Sequence, residues 1–168
     1  MESIKVEKLS NNKLNSINLA ELKHFLRIDG KQDDSLLVEM LKVAESELER
    51  GTAETLMVSD WSIQVLNYSG NFLDMNRKNI RNISQVMIMH AGKMKELKRE
   101  FYTYSKGILN FHHVICTKVM RIVFRAGHTK AEAINPELLS ALKQRVACIY
   151  ENKACNFDPF GRFREIRI

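Results

Sequence analysis

The chain has 168 residues, 45% of them hydrophobic, and a formal net charge of +6, which is the size of one domain with enough apolar material for a buried core and excludes a largely disordered chain. Only 7 Gly and 2 Pro are present, so no stretch reads as a flexible linker, a collagen-like repeat or a low-complexity tract. Met1–Lys8 alternates charged and apolar residues without a signal peptide's apolar run, and no window reaches about 18 apolar residues, so a soluble chain with no membrane partner is expected.

The charge is unevenly placed. Residues 1–51 carry 8 basic and 10 acidic groups, 52–128 carry 11 and 5, and 129–168 carry 7 and 5. A basic middle between near-neutral flanks suits either a polyanion or acidic partner or an ordinary solvated face. Cys116, Cys148 and Cys155 are odd in number and lack CxxC spacing, which reads as three reduced thiols.

Along the chain, residues 1–17 show little periodicity and read as an irregular arm. Asn18 with Glu21 three residues on reads as a capping box for a short helix with Leu19, Leu22, Phe25 and Leu26 on one face, ended by Asp29-Gly30. Asp33-Asp34 caps a longer helix whose Leu36, Leu37, Met40, Leu41, Ala44 and Leu48 recur at helical spacing up to Gly51. Its other face carries Glu39, Glu45, Glu47 and Glu49, either a solvated face or a contact strip for a basic neighbour.

From residue 60 to 127 the period becomes that of strands. Trp61, Ile63 and Val65 alternate with Ser62, Gln64 and Leu66 before a turn at Asn67–Asn71, and Ile83–His90 is a second candidate, closed by Ala91-Gly92. Met94–Leu97, Phe101–Tyr104, a turn at Ser105–Gly107, Ile108–Phe111 and Val119–Arg125 continue the pattern, which favours a small antiparallel sheet. Asn135 and Pro136 open a closing helix over residues 135–153, with Leu138, Leu139, Leu142, Val146, Ile149 and Tyr150 as its buried stripe. The tail, residues 154–168, mixes Phe157, Phe160 and Phe163 with Arg162, Arg164 and Arg167, and suits docking on a partner or packing along its own domain. The expected fold is a single domain, mainly α with a small antiparallel β-sheet (α+β): helix pair 18–51, short-strand region 60–127, closing helix and tail.

No chemistry is anchored. His24, His90, His112, His113 and His128 stand at no spacing that recurs in metal sites, and His112-His113 in a strand would point to opposite faces. GxSxG, P-loop, GxGxxG and HExxH motifs are absent, so no enzyme, metal or cofactor is expected. Lys93, Lys95, Lys98 and Arg99, interleaved with Met94, Leu97, Phe101, Tyr102 and Tyr104, form the strongest nucleic-acid candidate, by sequence-independent phosphate contact that weakens with salt. The same lysines also suit a hairpin whose edge they protect.

Three stretches carry a family resemblance. Leu19–Asp29 followed by Asp33–Glu49 is similar to an opening in which a short helix ending in Leu-Arg leads, through an acidic turn, to a helix rich in Ala and Glu. Ile122–His128 is similar to a last strand with an Ala-Gly exit, and Asn135–Lys153 to a closing helix with a Tyr-Glu-Asn end. In this order they resemble the head–tail connector (adaptor) proteins of tailed phages, prophages and gene transfer agents. Gly51-Thr52-Ala53 stands where that family usually has Thr-Gly-Arg, and Lys153 where Arg is common.

The resemblance implies a structural virion component, made in the bacterial cytoplasm, that forms a homo-oligomeric ring under the portal protein, dodecameric when assembled. The ring meets a tail-side connector or stopper protein and leaves a channel for passing DNA. It points to Tyr150, Phe157, Phe160, Arg162, Phe163, Arg164 and Arg167 for the portal contact. A closing ring needs two complementary surfaces, which Glu39, Glu45 and Glu49 would supply against the basic middle, with Lys93, Lys95, Lys98 and Arg99 towards DNA. The alternative is a small DNA-binding module using the 93–99 hairpin.

Overall fold

The computed structural model describes residues 3–10, 15–152 and 158–163. The chain forms two compact units, Met1–Asn11 with Val58–Gly127 and Asn12–Met57 with His128–Ile168.

The second unit holds α1 (Leu19–Leu26), α2 (Asp34–Thr52) and α3 (Pro136–Tyr150). Their apolar stripes meet: Leu22, Leu37, Leu41, Ala44, Leu48, Leu138, Leu142 and Val146 are buried together. Full burial of each Leu or Val side chain stabilises the unit by about 1.5–3 kcal/mol. Asn18 and Asn135 cap α1 and α3 by accepting from the amides of Ala20 and Glu137, each at 2.9 Å, and Pro136 opens α3, where its missing N–H costs nothing. The expected capping box is half made, because Glu21 reaches not back to Asn18 but across to Lys143. Helix ends also shift: Arg27 and Ala53 adopt left-handed cap conformations (φ 56° each), while Gly51 stays inside α2.

The first unit is a six-stranded antiparallel sheet of β1 (Ser3–Lys8), β2 (Ser59–Asp74), β3 (Ile80–His90), β4 (Lys93–Glu96), β5 (Tyr102–Ser105) and β6 (Ile108–Ala126), in the order β1-β2-β6-β3-β4 with β5 also on β6. Trp61, Ile63 and Val65 of β2 stand opposite Phe124, Ile122 and Met120 of β6, which are in turn flanked by Ile83, Val86 and Ile88 of β3. These rows are the core of the unit. The opposite face carries the cross-strand row Lys5, Gln64, Arg121, Met87, Glu96.

The expectation of a mainly α chain is therefore corrected: 34% of the described residues are helical and 41% are strand. The difference comes from strand length. Asn67–Asn71 is no turn, because Asn67 absorbs a left-handed conformation (φ 54°) within β2 and the strand runs on through an irregularity between Gly70 and Phe72. Likewise β6 joins what read as two strands into one of 19 residues. Ser3–Lys8, read as an irregular arm, is an edge strand on β2.

Candidate functional site

Elementary chemistry gives little to a catalytic reading. No group of three or more His, Cys, Asp or Glu among the described residues could hold a metal ion. His112 and His113 are both exposed, in the stretch where β6 carries three more residues than β2 between the Gly70–Ile115 and Phe72–Asn110 pairs. Cys116 is a free, exposed thiol, whereas Cys148 is disulfide-bonded, which corrects the reading of three reduced thiols. What remains is surface, and three groups of residues are in question.

The acidic face of α2 is mostly spent inside its own unit. Glu45 accepts from both the amide and the hydroxyl of Ser16. Glu47 is gripped by Arg145 of α3 through hydrogen bonds of 2.6 and 3.1 Å, and the bond from Arg145 holds its carboxyl below the usual glutamate range. Glu49 is buried and accepts from the Leu56 amide at 3.1 Å. Glu39 alone of the expected interface acids is exposed. It lies on a stripe with Leu36, Val43, Ser46 and Arg50, all exposed, at helical spacing; Leu36 is 43% and Val43 51% exposed.

The basic hairpin is similarly thinned. Lys93 and Lys95 stand exposed on one side of β4, opposite His90 and Ile88. Lys98 pairs with Glu100 at 3.7 Å, and Arg99 donates to the Ile83 carbonyl at 3.2 Å with its guanidinium 5.3 Å from the Tyr102 ring centre. Elsewhere in the unit Arg125 binds Asp60 at 2.9 Å, and that bond keeps the Asp60 carboxyl below its ordinary value. Arg77 is buried with its guanidinium 3.6 Å from the centre of a Trp61 ring. Much of the basic excess of the middle thus serves the sheet itself. Lys5 and Arg121, brought into one row by strand pairing, were not legible in sequence, where they lie far apart.

The closing segment packs on its own unit in its described part. The Tyr150 hydroxyl donates to Asp33 at 2.8 Å, and this bond, ahead of burial, raises the phenol above its usual value. Phe160 is buried in the helical core, and Phe163 packs partly against it. Arg162 lies over the Phe163 ring (4.7 Å) with Glu137 at 4.0 Å. Phe157, Arg164 and Arg167 lie outside the described residues.

Helix pair, antiparallel sheet and closing helix together define an α+β protein of two compact units. The sequence profile of the phage gp6-like head–tail connector proteins matches residues 16–106, more than half of the chain. The chain belongs to that family, and its role is that of a structural head–tail connector, or adaptor. The fold is similar to a chain in the neck of an empty gene transfer agent (GTA) particle computed with C6 symmetry, with a TM-score of 0.80 at 16% identity over 98% of this chain and 97% of that one. It is also similar to one in the virion of a native GTA particle (0.79, 16%, 97% and 96%). A chain in the neck of a native particle computed with C12 symmetry matches at 0.78 and 16%, over 98% and 97%. No curated protein sequence matches the chain.

Proposed function

We propose that the chain is an adaptor ring subunit. Identical copies close a ring beneath a portal protein, meet a tail-side connector or stopper, and leave a channel through which DNA passes; the subunit performs no catalysis. The observation that carries this reading is the fold likeness over nearly the full length of chains from particle necks to which rotational symmetry was applied. A ring needs a heterologous contact between two different surfaces. Here the outward stripe Leu36, Glu39, Val43 and Arg50 of α2 supplies one of them, while Glu45 and Glu49 act from inside by holding the chain segments around α2. Arg162 and Phe163, with Phe157, Arg164 and Arg167, form the portal contact, and Tyr150 and Phe160 hold that segment in place. Lys93 and Lys95 are the hairpin cations that face passing DNA. Deleting the coding region from the element that carries it tests the reading: heads and tails that form but do not join support it, and normal joined particles refute it.

A further inference from the structure

Of the four hairpin cations that lie close together in sequence, the fold keeps two together and sends two away. β4 runs antiparallel to β3, so Lys93 stands opposite His90 and Lys95 opposite Ile88, beside the turn at Ala91 and Gly92. Lys98 and Arg99 follow the other end of β4, where the Leu97 amide donates to the Val86 carbonyl. Both are engaged there, Lys98 by Glu100 and Arg99 by the Ile83 carbonyl. A cation from elsewhere in the sequence takes their place. Met120 of β6 pairs with Ile88, and the Thr117 hydroxyl bonds the amide and the carbonyl of Met89 at 3.1 and 3.0 Å. Lys118 is thereby held beside the same end of β3. Side chains alternate along a strand, so Lys118 shares the side of Met120, which is the side of Ile88, His90, Lys93 and Lys95.

Lys93, Lys95 and Lys118 are all exposed, and none of them makes an ion pair among the described residues. Their surroundings offer no counter-charge. β3 and β6 contain no acidic residue, and Glu96, the one acid of β4, stands opposite Met87 on the other side of the sheet. Gathering like charges on neighbouring strands costs stability. Guarding an exposed edge accounts for Lys93 and Lys95, yet not for Lys118, whose strand lies between β2 and β3 in the sheet.

We propose that Lys93, Lys95 and Lys118 form one site for the phosphate backbone of double-stranded DNA, bound without regard to sequence. The proposal rests on the reading that the hairpin faces passing DNA and redefines the contact: Lys118 joins it, and Lys98 and Arg99 leave it. Two residues along β4 separate Lys93 from Lys95 by about 7 Å, and two strand spacings separate them from Lys118 by about 10 Å. That spread lets each ammonium meet its own phosphate. Lysine offers a point charge without the planar fork that reads a base edge, which suits contact that tolerates any sequence. A duplex carries dense, regular charge along its whole length, so three lysines on a rigid sheet find phosphates at any position along it.

Fluorescence anisotropy of a short labelled DNA duplex, titrated with the purified full chain over a salt series, tests this. The expected logarithmic dependence of affinity on salt has a slope of about −2.7, or about −0.9 for each of three phosphates, and duplexes of unrelated sequence bind alike. Lys93→Gln, Lys95→Gln and Lys118→Gln should each reduce the slope by about 0.9, while Lys98→Gln should leave it unchanged. All four lysines are exposed, so the variants should melt as the parent does. A slope that Lys118→Gln leaves intact overturns the proposal, as does an equal loss with Lys98→Gln. Polyglutamate that displaces the labelled duplex as readily as unlabelled DNA does would also overturn it, by assigning the site to an acidic protein surface. Light scattering with a portal protein reads the adaptor role separately. A chain that joins the portal protein but shows no salt-dependent DNA binding overturns this site and leaves that role standing.

Discussion

Arg145 of α3 binds Glu47 of α2 with two hydrogen bonds, 2.6 Å from Nε and 3.1 Å from Nη2, across 98 residues of sequence. The pair ties the closing helix to the helix pair, and each side chain is less than a third exposed. Solvent screens it in part, so Glu47→Gln should cost about 1 kcal/mol at neutral pH. The Glu47 carboxyl is depressed in the folded chain. Its stabilisation is therefore complete above the unfolded-state value, about 4.3, and is lost as pH falls through the lower folded value. Urea midpoints of the parent and Glu47→Gln should differ at pH 7 and converge as acid protonates Glu47. A difference that persists or grows in acid would refute the assignment.

The acids of α2 should separate by role. Glu39→Lys changes an exposed residue and should leave stability within about 0.5 kcal/mol. Glu49→Lys buries a cation against the Leu56 amide and should cost about 3 kcal/mol. Thermal unfolding distinguishes them, and equal effects would mean that the α2 face is misassigned.

Much of the helical unit was legible because its signals are local. Asn18, Asn135 and Pro136 announce helix starts, and Leu37, Leu41, Ala44 and Leu48 repeat at helical spacing. The sheet was under-read because Asn67–Asn71 has the composition of a turn, yet asparagine at positive φ also lets one strand twist through an irregularity. Ser3–Lys8 alternates as a strand does, but nothing local says that Trp61–Leu66 is its partner. The acidic strip misled for a related reason: spacing places Glu45, Glu47 and Glu49 on a helix, while Ser16, Arg145 and Leu56, which engage them, come from elsewhere in the chain.

Phe160 is 4% exposed within the helical core. Phe160→Ala should lower the stability of that unit by about 3 kcal/mol, while Phe163→Ala, only partly buried, should cost about 1 kcal/mol. Calorimetry of the two variants checks this, and an unaffected melting transition in Phe160→Ala would mean that the segment packs elsewhere in solution.

Trp61 is the only tryptophan of the chain, and Arg77 is stacked on it at 3.6 Å. Arg77→Ala should shift the intrinsic emission and destabilise the β unit by about 1–3 kcal/mol. Emission identical to the parent would rule out the stack.

The adaptor claim is tested most directly by light scattering of the purified chain, alone and mixed with an assembled portal protein from the same element. The account predicts a jump to a defined complex carrying a ring's worth of subunits, weakened by Arg162→Glu. A chain that remains separate from the portal protein at every mixing ratio, yet binds DNA with a steep dependence on salt, would contradict it.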